Sequence, residues 1–269
     1  MGVNRIEIFP LERSCMKALS TLKTRLVRSV ALALVGILIP TIARSDWYPN
    51  FAPSNMQVIT NSAINGAVLQ SIVRRNAATR SNTTRSSQNQ STQAATNLSF
   101  RPNPAISRQV QRSIVEPVRR QVPSEADKLA SILASGQPMS IYSKVVAKYG
   151  LRVDNVADAM TTYMVTNWLI VNNVQTDPSR ASVQAVRSQI VPIVLNNSQF
   201  RSEKTRQLVA ESLIYQTIFL NANYERVRAS NNPAQMQQFV QTTHQSIATG
   251  FGLDFRKIDL TDAGFRPRS

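Results

Sequence analysis

Asp154 and Asp158 stand four residues apart near the start of an apolar stretch. On a helix they would share one face, the minimum arrangement for a carboxylate-dependent hydrolase. The same placement has a structural reading, since negative charge near a helix N-terminus is stabilised by the macrodipole. Glu211, between Leu208 and Leu213, is a third acid set among apolar neighbours. Glycoside hydrolysis turns on the separation of two such carboxyls, which is a tertiary quantity. His244 is the single histidine of the chain. It lies between Val240 and Ile247 on the edge of an apolar stripe, where a packing role is expected before a general-base role. Neither a GxSxG elbow nor an SxxK sequence is present, so nucleophilic hydrolysis has no recognisable frame.

Metal and cofactor chemistry finds little to work with. Cys15 is the sole cysteine, and it precedes the first apolar run, so no thiol follows that run to form a disulfide, hold zinc or carry a lipid. Repeated Glu-x-x-His pairs and calcium-loop acids are missing too. No metal, cofactor or catalytic residue is therefore expected. Tyr163 and Asn167, four apart with Trp168 adjacent, are the remaining polar candidates on an apolar helix. A buried amide needs partners, which leaves two readings: a hydrogen-bond network joining helices, or the polar spot of a small-molecule pocket.

Basic residues are the other conspicuous feature. The chain of 269 residues has a formal net charge of +16. Residues 1–122 hold 16 of the 31 basic residues but only 4 of the 15 acids, so the excess lies mainly outside the C-terminal half. Within residues 106–122, a helical wheel puts Ile106, Val110, Ile114, Val115, Val118 and Val122 on one side. Arg108, Arg112, Arg119 and Arg120 fall on the other. Such an element is either a first helix with solvated arginines or a basic surface for an anionic membrane or envelope component. Nucleic acid is not expected as a partner, because no aromatic residues are interleaved with the charge.

The elements that must position these residues can be outlined. Arg25 and Arg28 precede the apolar run Val30–Ile39, Pro40 ends it, and Ala43-Arg44-Ser45 places small residues before Asp46. That is the layout of a secretory signal peptide, 1–45, and too short an apolar run for a permanent span. Met16-Lys17 would make a more usual opening for such a leader than the acidic-containing residues 1–15. Residues 46–74 form a short segment with helical spacing, and 75–104 a linker expected to be disordered. Fifteen of residues 81–100 are Ser, Thr, Asn or Gln, which leaves too little apolar area to offset backbone ordering. Residues 105–252 read as an all-α domain, a bundle of about five to seven helices. A kink or a break is expected at Pro117 and at Pro192. Starts are expected at Ser124, Ser140, Asp154, Asp177-Pro178, Ser202 and Asn232-Pro233, and a final C-cap at Gly250. The helix after Asp154, where Val156, Met160, Tyr163, Met164, Trp168 and Val171 follow helical spacing, should be central, and 253–269 an extended tail.

The stretch Asp154-Asn155-Val156-Ala157-Asp158-Ala159-Met160, with Tyr163, Val165, Asn167, Trp168 and Leu169, resembles a domain-of-unknown-function family of exported, mostly helical bacterial proteins. The ending Leu260-Thr261-Asp262-Ala263-Gly264-Phe265 is similar to that family as well. The resemblance covers roughly residues 123–265 and implies an exported helical domain, with no activity, cofactor or site residue attached. The sequence as a whole then points to an exported, periplasmic or extracellular protein, a non-enzymatic interaction module of the cell envelope. Its expected partner is an anionic envelope component or another envelope protein. A hydrolase of cell-wall or glycan polymers, and a small-ligand-binding or inhibitor protein, are the alternatives.

Overall fold

Asparagine, serine and proline set most of the helix starts. The computed structural model describes residues 98–268; the expected signal peptide, the segment 46–74 and most of the linker lie outside them. Helix α1 spans Pro104–Gln121, with Pro104 at its first position and the Asn103 side chain accepting from the Ala105 N–H. It continues through Pro117 without the expected interruption. Helix α2, Pro123–Ala134, begins on Pro123 itself, so the expected Ser124 cap is displaced into the first turn. Helix α3, Gln137–Ala147, follows Gly136, whose φ of 70° is the left-handed turn between them. It therefore starts before Ser140, and Tyr142 and Val146 point inward while Val145 is exposed.

Helix α4 is Val156–Val171. Asn155, rather than Asp154, caps it by accepting from the N–H groups of Ala157 and Asp158. The amide oxygen reaches both donors, which frees Asp154 to pair with Arg152. Helix α5, Arg180–Asn196, is capped by Ser179, two residues beyond the Asp177-Pro178 expected, and runs through Pro192. A 3-10 turn at Ser198–Arg201 leads into α6, Glu203–Ala229, capped by Ser202. Helix α7, Pro233–Phe251, opens on the Asn232 cap and Pro233. It closes on Gly252 at φ 64°, two residues past Gly250, which is buried inside the helix.

Seven α-helices thus dominate the described residues, an all-α fold with one short hairpin at its C-terminal end. Helix α4 is its centre: 14 of its 16 residues are buried, as a helix apolar all round must be. Helices α5, α6 and α7 pack against it. The main apolar cluster runs through α3 to α7 and includes Met160, Tyr163, Met164, Trp168, Leu213, Ile214 and Phe251. None of the apolar residues of α1 and α2 belongs to it. Those two helices bury Ile106, Val110, Ile114, Val118, Leu129 and Leu133, and α1 lies on α2 and α6 while α2 meets α3. No described helix is long and apolar enough to cross a membrane.

Both ends of the helical region depart from expectation. Residues 98–104, read as the end of the disordered linker, are ordered. Leu98 and Phe100 are buried, the Val156 N–H donates to the Leu98 carbonyl at 3.2 Å, and the Phe100 N–H to the Asp154 carbonyl at 2.9 Å. Two large apolar side chains outweigh the polar composition around them. The tail, in turn, folds into a 3-10 turn at Phe255–Lys257 and an antiparallel hairpin. Its strands are β1, Ile258–Thr261, and β2, Gly264–Pro267. A hairpin this short is marginal alone, so contacts from α4 and α5 must hold it.

Candidate functional site

Helix α1 presents the arginines on its outer side. Arg108, Arg112, Arg119 and Arg120 are all exposed, because Ile106, Val110, Ile114, Val115 and Val118 turn the opposite face into the protein. Arg119 is engaged: its guanidinium lies 2.8 Å from Asp127 on α2 and 3.7 Å from Glu116. Among the described residues, Arg108, Arg112 and Arg120 make no ion pair. With Arg101 just before the helix, residues 98–122 contain five arginines and one acid. The result is a row of solvated guanidinium groups, each able to offer paired donors to a phosphate or carboxylate.

Tyr163 and Asn167 do meet, at the centre of the fold, whereas Trp168 is buried on the same helix but bonds elsewhere. Tyr163 is enclosed, its ring tilted against Phe251 with centroids 5.9 Å apart. Burial pushes its phenol well above the ordinary tyrosine range, with the Asn167 side chain opposing the shift. The Asn167 amide donates 2.7 Å to the Tyr163 carbonyl one turn back, while its Oδ1 is buried without a partner. This polar pair is a contact within α4, and these bonds do not tie one helix to another. Trp168 has a different task, one its sequence neighbours did not suggest. Its indole N–H donates 2.7 Å to the Ile258 carbonyl, holding the first residue of β1. Asn172 adds a donor to the Phe255 carbonyl at 3.1 Å. From α5, Gln189 brackets Phe265, accepting from its N–H at 3.0 Å and donating to its carbonyl at 3.1 Å.

The carboxylates each have a structural partner. Asp158 is buried, and its Oδ1 accepts from Arg187 Nε on α5 at 2.5 Å while its Oδ2 accepts from the Arg152 N–H at 2.9 Å. Burial raises its carboxyl above the usual range; the Arg187 charge and hydrogen bond and the Arg152 N–H oppose it. Asp154 pairs with the Arg152 guanidinium. Glu211 is buried between α6 and α1: Oε1 accepts from Ser107 Oγ at 2.9 Å and from Gln207 Nε2 at 2.8 Å, and Oε2 has no partner. Its carboxyl is pushed up by burial, with the Gln207 and Ser107 hydrogen bonds opposing. His244 Nε2 lies 2.9 Å from Asp254 Oδ1, joining α7 to the chain that follows it. The histidine hydrogen bond holds the Asp254 carboxyl below its ordinary value against a smaller opposing effect of burial. Among the described residues no three His, Cys, Asp or Glu side chains gather as a metal site would require.

Sequence reasoning missed Arg187 and Gln207, which complete these clusters. Gln207 accepts from the Asn103 N–H and donates to the Asn103 carbonyl, both at 2.9 Å. Its spacing of four from Glu211 was the available sign.

A family model described as "Family of unknown function (DUF6683)" matches residues 23–268. No curated protein and no solved structure matches the chain.

Proposed function

The chain belongs to that family of unknown function, and from what its fold leaves exposed we propose an exported helical interaction module of the bacterial envelope. In this reading the protein performs no reaction itself. It reaches the periplasm or exterior through a leader ending at Ser45, and α1 contacts an anionic envelope component. The observation that carries the reading is the row of exposed arginines on α1, three of them without an acidic partner among the described residues. Unpaired surface guanidinium groups add little to stability, so a structural task does not account for them. The carboxylates of the alternative hydrolase reading are taken up by internal bonds to Arg187, Arg152, Ser107 and Gln207, which favours binding over hydrolysis.

Two measurements test it. Protein recovered from periplasm or medium should begin at Asp46; recovery only from cytoplasm refutes export. Sedimentation with phosphatidylglycerol-containing vesicles should exceed that with phosphatidylcholine alone and weaken with salt. Each arginine near an anionic surface contributes about 1 kcal/mol. The combined variant Arg108→Gln, Arg112→Gln, Arg120→Gln should therefore bind about 100-fold more weakly. Equal binding by the variant removes α1 as the contact.

A further inference from the structure

The α1–α2 pair has its own small core, separate from the main apolar cluster. Where α1 meets α6 the seam contains a run of polar side chains. Asn103 is held by both ends of the Gln207 amide. The Gln207 Nε2 group also donates to Glu211 Oε1 at 2.8 Å and lies 3.2 Å from Ser107 Oγ. Ser107 Oγ donates to the same Glu211 oxygen at 2.9 Å. One turn on, Gln111 Nε2 reaches the Leu133 carbonyl at 3.2 Å and the Tyr215 hydroxyl at 3.4 Å. Glu211 is only 6% exposed.

We infer that Glu211 is the catch of a pH-sensitive clasp that holds the first turns of α1 against α6, closed while its carboxyl is protonated and loosened as it ionises. The uncharged acid suits the site: Oε1 keeps both donors and no net charge is enclosed. The carboxylate does not, because Oε2 sits buried with no donor and a buried charge without a counter-ion is costly. Helices α1, α3, α4 and α7 and the 3-10 turn at Ser198–Arg201 pack on α6. The charged groups of those elements are engaged elsewhere or face solvent: Arg108, Arg112, Lys144 and Arg201 are exposed, Asp158 pairs with Arg187 and His244 with Asp254, and the side chains bonded to Glu211 are the neutral Ser107 and Gln207. The Tyr215 phenol, also on α6, is raised by burial, by less through the Glu211 charge, with the Gln111 hydrogen bond opposing, and it is neutral wherever the carboxyl titrates. Parting α1 from α6 hydrates the carboxylate and leaves the α4-centred core in place. This inference stands apart from the choice of partner: it concerns how firmly α1 is seated.

The sign follows from linkage. The closed carboxyl titrates higher than the open one, so closure is strongest below the open-state value. Closure then weakens up to tenfold per pH unit until the closed-state value is passed. Hydrogen exchange of the full chain reads this directly, as protection of amides in residues 104–112 after correction for intrinsic rates, with residues 156–171 as the internal reference. Wild type should lose α1 protection as pH rises from acid to neutral, and Glu211→Gln should show no such slope. Ser107→Ala removes a donor that favours the ionised form, so its slope should extend to higher pH, which a merely structural contact would not produce. A flat wild-type profile, an unchanged slope in Glu211→Gln, or a Ser107→Ala profile superimposing on wild type would each overturn the inference.

Discussion

Replacing Arg187 with Leu should be among the most damaging single changes in the described fold. Asp158 has a side chain only 3% exposed, against 14% for Arg187. Without the guanidinium, the carboxylate retains the Arg152 N–H at 2.9 Å as its remaining hydrogen bond. Removing one partner of a buried ion pair costs about 3–5 kcal/mol, because the other charge stays enclosed. Asp158→Asn should cost less, about 1–2 kcal/mol, since the more exposed Arg187 can turn to water. The double variant Asp158→Asn, Arg187→Leu should recover much of the loss of Arg187→Leu alone. For a domain of this size each kcal/mol moves Tm by about 2–4 °C, so Arg187→Leu should melt about 6–20 °C lower at pH 7. The direction with pH is also defined. Burial raises the folded carboxyl of Asp158 and Arg187 opposes that rise. In Arg187→Leu the folded value rises further, so the deficit should be small in acid and grow as pH climbs through that value. Urea unfolding of the full chain at several pH values measures all three variants. A loss below about 1 kcal/mol for Arg187→Leu, or a double variant no better than the single, would refute the ion-pair argument.

Three further outcomes follow from other contacts. Trp168→Phe removes the donor to the Ile258 carbonyl and should cost about 1–3 kcal/mol, with hydrogen exchange accelerating first at residues 258–267; uniform acceleration would contradict the clamp. Gly264 has a φ of 87°, and a Cβ there would fall 2.6 Å from the Gln189 side-chain amide; Gly264→Ala should lower stability by at least about 1 kcal/mol, read from its melting curve. The Asp254 carboxyl is held low by His244, so its contribution is present above the unfolded value and lost as pH falls through the folded one; His244→Ala should flatten that acid limb of the unfolding profile.

Local chemistry made much of this architecture legible. The spacing Val156, Met160, Tyr163, Met164, Trp168 and Val171 identified the central helix, and all six are buried. Cap-plus-proline at Asn232-Pro233 and the Ser202 cap were placed correctly. The errors cluster where several capping residues compete: Asn155 against Asp154, and Ser179 against Asp177. There the choice depends on which side chain other ion pairs, local or distant, leave free. Asp177 is drawn to Lys148 and Asp154 to Arg152. Prolines 117 and 192 did not break their helices, and both are exposed.

The sequence by itself determined the helical class, the buried stripe of α4 and the outward row of arginines on α1, because each depends on periodicity within one segment. Tertiary structure alone decided that Trp168 would hold a hairpin 90 residues away, that Asp158 would meet Arg187, and that Glu211 would be enclosed with one oxygen unpartnered. Those outcomes depend on which helix lies opposite, and no local spacing encodes a neighbour that the chain reaches only after it has packed.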